Sequence, residues 1–198
     1  MNNQKLMNSA KHLDTLAKVI SIAFKVTGIL CLIVAIALFA LKDLQQITYT
    51  ITLDFVKVYL TDQVTINAHF MTLYVIVGLI MISILCFIIN YATIKIRGIL
   101  QPMKEGRPFE TGIPENLKKI AWSILLGGVL VQIVALVERI LLIKACPIQQ
   151  LLNLEAITNF EYTFSIDFSF VLLFCAFMFL SYIFSYGQIL QKESDETL

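Results

Sequence analysis

The stretch KIRGILQPMKEGRPFETGIPENLKK, residues 95–119, is the longest polar and basic interval between two long apolar runs of this chain. It carries Lys95, Arg97, Lys104, Arg107, Lys118 and Lys119 against Glu105, Glu110 and Glu115. The chain on either side of it is largely compatible with a membrane. Because short loops rich in Lys and Arg stay on the cytoplasmic side, this connector decides the orientation of everything around it.

The composition indicates a membrane protein. Of the 198 residues, 58% are hydrophobic and only 15% are charged, whereas soluble domains carry about a quarter charged residues. The net charge of +1 says nothing about partners. Three cysteines lie in apolar runs, where Cys behaves as a small hydrophobe. Only Cys146 lies in a polar connection, and no CxxC pair is present, so we expect neither a disulfide framework nor a metal site.

Apolar runs of about 20 residues predict membrane-spanning helices. We expect an all-α membrane protein, a four-transmembrane-helix bundle forming a single membrane domain over residues 1–198. The predicted spans are approximately 19–41, 70–94, 117–143 and 168–187. The predicted outer loops are 42–69 and 144–167, and the cytoplasmic connector is 95–116. Residues 4–18 predict a short amphipathic helix that lies on the lipid headgroups.

Both outer loops contain a stretch of alternating apolar and polar residues, which is typical of a β-strand. The first stretch is ITYTITLDF, residues 47–55, and its alternation slips near Val56–Lys57. The second covers residues 159–167. We therefore expect a small extracytoplasmic β element formed from the two outer loops.

Helix-breaking Gly and Pro residues predict where the helices begin and end on the cytoplasmic side. The second helix should continue to about Gln101 and stop before Pro102, and the chain should turn at Gly106–Pro108. Pro114 suits the first turn of the third helix. The fourth helix should continue past Gly187 into the tail. We expect the tail carboxylates Glu193 and Asp195 to meet Arg97, Lys104 or Arg107.

Two further groups of residues are candidates for helix packing and for an ion pair. Ser123, Gly127 and Gly128 offer a small-residue surface, and Gln132 lies near the midplane, where one amide usually joins helices. At the outer interface we expect an ion pair, which involves Glu138, Arg139 and Asp167, with Asp43 as the other acidic candidate.

No catalytic, cofactor or metal site is predicted, and we expect a protein that is not an enzyme. The sequence contains no HExxH, P-loop, GxSxG or GxGxxG motif. The two histidines, His12 and His69, fall on opposite sides of the predicted membrane. Transport requires ionisable groups deep in the bilayer, and the charged residues of the spans lie near their ends. This disfavours a transporter.

The distribution of basic residues predicts the orientation. Four Lys lie in the N-terminal segment, six Lys and Arg in the 95–119 connector and one Lys in the tail, against four in the outer loops and adjoining helix ends. The split of eleven against four places both termini and the connector in the cytoplasm.

Two stretches resemble a known family. Residues 99–122, ILQPMKEGRPFETGIPENLKKIAW, and residues 184–198, FSYGQILQKESDETL, resemble motifs of the bacterial four-span integral membrane proteins grouped as domain of unknown function 2975. The matching positions are Glu105, Gly106, Pro108, Phe109, Asn116, Ile120, Trp122, Gly187, Leu190, Glu193, Asp195 and Thr197. The chain departs from the motif by an extra break at Gly112–Pro114.

The resemblance implies a multi-pass protein of the bacterial cytoplasmic (inner) membrane without enzyme activity. Family members are often encoded beside a small helix-turn-helix regulator. This suggests a membrane-anchored regulatory or sensory protein that docks such a regulator and does not itself bind nucleic acid. The docking or bracing surface would comprise Glu105, Gly106, Arg107, Pro108, Phe109, Gly187, Leu190, Glu193 and Asp195.

Three alternatives stay open. The docking or bracing surface can brace the bundle instead of docking a partner. The protein can be a small-molecule or ion transporter or channel, or a structural or assembly factor of a membrane complex. Homo-oligomerisation is compatible with each of them, and the lipid bilayer is the one partner common to all.

The orientation is testable by cysteine accessibility. A membrane-impermeant thiol reagent should label Thr50→Cys and Thr163→Cys from outside the cell, because both positions lie in outer loops. Glu110→Cys should react only after permeabilisation. External labelling at position 110 would invert the topology.

Overall fold

Four long helices make up most of the chain. The computed structural model describes residues 3–41, 50–53, 56–59, 67–105, 112–145 and 167–196. The helices are α1 (Asn3–Leu41), α2 (Ala68–Lys104), α3 (Gly112–Ala145) and α4 (Ser169–Glu196), and two short strands, β1 (Thr50–Leu53) and β2 (Val56–Tyr59), lie between α1 and α2.

Each helix contains a segment long and apolar enough to cross a membrane. These segments are Met7–Ala40, Ala68–Lys104, Gly112–Ala145 and Ser169–Ser194. The prediction of four helices long and apolar enough to span a membrane is therefore confirmed.

The predicted boundary between a surface helix and the first span is wrong. Residues 4–18 belong to α1, which continues unbroken to Leu41. No Gly or Pro occurs before Gly28, so nothing interrupts the helical hydrogen bonds at residue 18. At about 1.5 Å per residue the 39-residue helix is roughly 58 Å long, nearly twice the ~30 Å hydrocarbon thickness of a bilayer.

The helices pack in chain order, with α1 on α2, α2 on α3 and α3 on α4. No other pair of the described helices makes more than marginal contact. The two central helices, α2 and α3, therefore hold the outer helices α1 and α4 in place.

The face that α1 turns toward α2 follows a seven-residue repeat. Its buried and half-buried positions recur at alternating steps of three and four, namely Met7, Ala10, Asp14, Ala17, Ser21, Phe24, Gly28, Cys31, Ala35 and Leu38. This spacing is that of a left-handed coiled-coil seam, and its small residues allow close approach. At Gly28 an added Cβ would lie 3.1 Å from Cys86 Cβ.

The α2–α3–α4 side is packed most tightly at the end that carries the 95–119 connector. Ile113, Ile120 and Ala121 of α3 are at most 3% exposed. Pro114 and Glu115 lie in the first turn of α3, as predicted. The buried Ser181 hydroxyl donates to the Pro114 carbonyl oxygen at 2.8 Å, which joins α4 to this turn.

The opposite ends of α2 and α3 are tied through Asn67. Its backbone N–H donates to the Ala145 carbonyl at 3.0 Å, and its side-chain oxygen accepts from the Phe70 N–H at 3.4 Å, which caps α2.

The predicted β element joining the two outer loops is not supported. Strand β1 pairs antiparallel with β2, from Thr50 opposite Tyr59 to Leu53 opposite Val56, so both strands belong to the same loop. The slip near Val56–Lys57 therefore marks the start of a second strand. Closing a short local turn costs less chain entropy than pairing segments a hundred residues apart. The predicted strand over residues 159–166 lies outside the described residues.

Two adjacent glycines of α3 provide a matched test of this packing. A Cβ on Gly128 would lie 2.5 Å from Phe170 Cβ and would clash with its ring, whereas one on Gly127 would lie 3.6 Å from the nearest atom, Ile88 Cγ2. Gly127→Ala should leave stability unchanged or raise it by up to about 1 kcal/mol, since Ala favours a helix.

Gly128→Ala should lower the stability by roughly 1–3 kcal/mol, because α4 must move away from α3. Thermal unfolding in detergent measures both variants. Equal melting temperatures for the two would show that Phe170 does not pack against α3 as described.

Candidate functional site

A ladder of polar contacts runs along the α1–α2 seam. Each rung joins one residue of α1 to one of α2, and the rungs are Gly28 with Ser83, Ser21 with Asn90, and Asp14 with Arg97. The Ser83 hydroxyl donates to the Gly28 carbonyl at 2.8 Å. The Ser21 hydroxyl donates to Asn90 Oδ1 at 2.5 Å.

The rungs are seven residues apart on both helices, in opposite directions along the chain. Antiparallel helices that supercoil at 3.5 residues per turn bring such positions face to face at every second turn. Sliding one helix by a single turn would separate all three pairs together. The ladder therefore specifies the register of α1 against α2.

The rung nearest the 95–119 connector is an ion-pair network, which we call the Asp14 latch. Asp14 Oδ1 accepts from Arg97 Nε at 2.9 Å, and Asp14 Oδ2 accepts from Lys104 Nζ. The side chains of Asp14, Arg97 and Lys104 are 17%, 38% and 24% exposed, respectively. The single carboxylate thus holds two cations, seven residues apart on α2, in a half-buried setting.

An open cleft of about 630 Å³ lies beside the latch. The latch residues line it together with Ile94, Gly98, Gln101 and Glu105. All lining residues except Asp14 and Glu105 lie within α2, and Glu105 caps it, so the cleft stands on a rigid helix. Five of its seven lining residues are charged or polar.

The end of α2 differs slightly from the prediction. The helix continues through Pro102 to Lys104, and Glu105 caps it by donating its N–H to the Pro102 carbonyl at 3.1 Å. Pro102 is tolerated because only its own N–H bond is lost and the helix ends within one turn. Of the predicted docking or bracing residues here, Glu105 is exposed, and Gly106, Arg107, Pro108 and Phe109 lie outside the described residues.

The fourth helix continues past Gly187 to Glu196, as predicted. Gly187, Leu190, Glu193 and Asp195 all belong to α4, which packs on α3. Leu190 is 48% exposed and Glu193 is exposed.

Two of the three expected partners of the tail carboxylates, Arg97 and Lys104, bind Asp14 of α1. The third, Arg107, lies outside the described residues, so the pairing of the tail carboxylates with these cations stays a prediction.

The predicted helix-packing residues divide between two neighbours. Gly127 faces Ile88 of α2 and Gly128 faces Phe170 of α4. The buried Ser123 hydroxyl donates to the Lys119 carbonyl of its own helix at 2.8 Å. Gln132 Nε2 donates to the Asp167 carbonyl oxygen at 3.1 Å, and so joins α3 to the start of α4.

At the outer end, Asp167 is bonded to Ser169 at the start of α4. Asp167 Oδ1 accepts from the Ser169 N–H at 2.8 Å and from the Ser169 hydroxyl at 2.5 Å, so it caps α4. These bonds hold the pKa of the Asp167 carboxyl below its usual range. Glu138 lies against Gly78 of α2, and Arg139 is exposed. The Glu138–Arg139–Asp167 ion pair stays a prediction.

Sequence reasoning missed the ladder and the latch. The signal was present as Ser83, Asn90, Arg97 and Lys104, four polar residues seven apart on one helix. The complementary series on α1 is weaker, since Gly28 contributes only a carbonyl group.

No family model, curated protein or solved structure matches the chain. Among the described residues no group of three or more His, Cys, Asp or Glu side chains could hold a metal ion. The ladder and the latch join α1 to α2.

The latch can be tested by a double-mutant cycle of Asp14→Ala and Arg97→Ala. We expect a coupling free energy of about 1 kcal/mol in detergent at low salt. This value is close to that of a surface ion pair, because the Arg97 side chain is 38% exposed. Raising the salt concentration should reduce it.

The control is the ion pair of Lys192 and Glu196, in which Nζ and Oε1 lie 3.7 Å apart and both side chains are mostly exposed. A cycle of Lys192→Ala and Glu196→Ala should give a smaller coupling. If the two cycles gave equal values, the latch would be an ordinary surface contact.

Proposed function

We propose that the chain is a non-enzymatic, membrane-anchored regulatory or sensory protein that docks a cytoplasmic partner at the latch and its cleft. The observation that carries the proposal is a charged, open cleft built on helices that are longer than the membrane is thick. Preorganised side chains on rigid helices suit protein recognition better than the same groups on loops.

The length of the helices supports a site outside the bilayer. At ~1.5 Å per residue, α1 and α2 are roughly 58 and 55 Å long, so each extends well beyond the ~30 Å hydrocarbon core. The rungs at Gly28 and Ser21 lie toward the middle of α1, whereas Asp14 lies toward its N-terminal end. The latch thus stands at the edge of the membrane or beyond it.

The orientation is part of the proposal. The latch and cleft share their end of the molecule with most of the basic residues, including Arg97, Lys104 and Lys119. The positive-inside rule then puts this end, and both termini, in the cytoplasm. The family resemblance adds that the membrane is the bacterial cytoplasmic membrane and that the partner is a helix-turn-helix regulator.

The use of polar groups inside the spans favours docking over transport. Ser83 donates to the Gly28 carbonyl of α1, and Ser21 bonds to Asn90 of α2. Such bonds join helices, whereas an ion pathway needs ionisable groups that line a wet cavity. These hydroxyls, which lie toward the middle of the helices, thus serve packing.

The docking proposal is tested by site-specific photo-cross-linking. Gln101 is exposed and lines the cleft, so a photoreactive amino acid at this position should capture a cytoplasmic protein in intact cells of the source organism. Adding Asp14→Asn should reduce the cross-linking yield several-fold, since Arg97 and Lys104 lose the carboxylate that holds them in place beside the cleft. Mass spectrometry identifies the product.

The matched control places the same photoreactive residue at Asn67, which is exposed at the opposite end of α2. No cytoplasmic protein should be captured there. Adducts from position 101 with lipid alone, or the same protein captured at both positions, would rule out docking at the cleft. If the captured protein lacks a helix-turn-helix domain, the docking proposal stands, but the proposal that the partner is a helix-turn-helix regulator is wrong.

A further inference from the structure

A second depression, a groove of about 660 Å³, lies between α2 and α3, away from the latch. Ile84, Phe87 and Ile88 of α2 and Leu126 of α3 form its apolar part, and Tyr91, Lys119 and Trp122 lie toward one end. From Ile84 to Tyr91 the helix rises about 10 Å. The groove therefore runs along the helices and has one apolar end and one polar end.

The floor of the groove offers no free polar group. Gly127 has no side chain, so Ile88 approaches α3 closely. The hydroxyl of Ser123, the one polar side chain besides those at the mouth, already donates to the Lys119 carbonyl at 2.8 Å. A floor of this kind suits a hydrocarbon chain and would bind a polar ligand poorly.

The mouth of the groove is cationic. Lys119 is exposed and lines it, and the Lys95 ammonium lies over the ring of Tyr91, 5.0 Å from its centre. Within the described residues neither lysine forms an ion pair with a carboxylate. Trp122, which is 53% exposed and packs edge-on against Phe174 at 5.4 Å, forms one wall. Trp and Tyr concentrate at the level of lipid headgroups.

We propose that this groove binds one anionic glycerophospholipid of the surrounding bilayer. One acyl chain lies along Ile84, Phe87 and Leu126, and the phosphate lies between Lys119 and Lys95. The charge complementarity selects an anionic headgroup over a zwitterionic one, and the groove opens on a helix surface that faces the membrane. This site is separate from the cleft and is independent of which end of the protein is cytoplasmic.

Trp122 is the single tryptophan of the chain, so its fluorescence reports on this groove alone. The full-length protein is reconstituted in phosphatidylcholine vesicles that contain increasing fractions of phosphatidylglycerol with brominated acyl chains, which quench tryptophan on contact. A parallel series uses brominated phosphatidylcholine. The lipid is present in both leaflets, so the assay does not depend on orientation.

We expect quenching of Trp122 to give an apparent association constant for brominated phosphatidylglycerol that is about fivefold or more higher than that for brominated phosphatidylcholine. The double variant Lys95→Gln/Lys119→Gln should bring the ratio close to one. The control Lys118→Gln removes the adjacent cation, which lies over Tyr182 of α4, 5.7 Å from its ring centre, and it should retain the preference.

Equal quenching by the two lipids in the unmodified protein would overturn the proposal. So would a preference that survives the double variant, or one that the Lys118→Gln variant removes equally. Thermal unfolding confirms that each variant is folded, and both substituted lysines are outside the packed seams. Loss of the lipid preference would leave the docking proposal untouched, because the cross-linking experiment reads a different surface.

Discussion

The α1–α2 seam is the interaction on which the arrangement of the described helices depends. In a bilayer the lipid chains are as apolar as the side chains, so helices associate through close packing and hydrogen bonds. Among the described elements, α1 packs substantially only on α2, and it does so through small residues and three polar rungs. Without these three polar contacts the seam would consist mainly of small residues, and α1 could change its register against α2.

The same seam explains why a charged site exists at one end of the molecule. The repeat that places Ser83 and Asn90 against α1 continues to Arg97 and Lys104 near the C-terminal end of α2. There the partner on α1 is Asp14, and hydrogen bonds between neutral groups give way to charge-assisted ones. An ion pair is tolerable at this position because it is partly solvated, while the deeper rungs carry no charge. The one charged rung is thus the rung closest to the ends of the two helices.

Hydropathy predicted the four spans because the apolar runs are long and the polar connections are rich in charge. Hydropathy could not predict the seam, since a lipid-facing surface is at least as apolar as a packed one. Positions such as Ala17 and Ala35 are recognisable only by their small size and their place in the seven-residue repeat. The break assumed at residue 18 followed from composition, although the polar segment has the same helical preference as the span. The outer strands show a different limit: alternation identifies a strand but not its partner, and β1 pairs with its neighbour.

Helix α2 connects the two surfaces for which functions are proposed. Successive residues of a helix are about 100° apart, so Ile84 and Tyr91, which line the groove, lie about a quarter-turn from Ser83 and Asn90, which form rungs. One helix therefore faces α1 through the ladder and the groove through the neighbouring stripe. A rotation of α2 that deepened the groove would also turn Asn90 and Arg97 relative to Ser21 and Asp14.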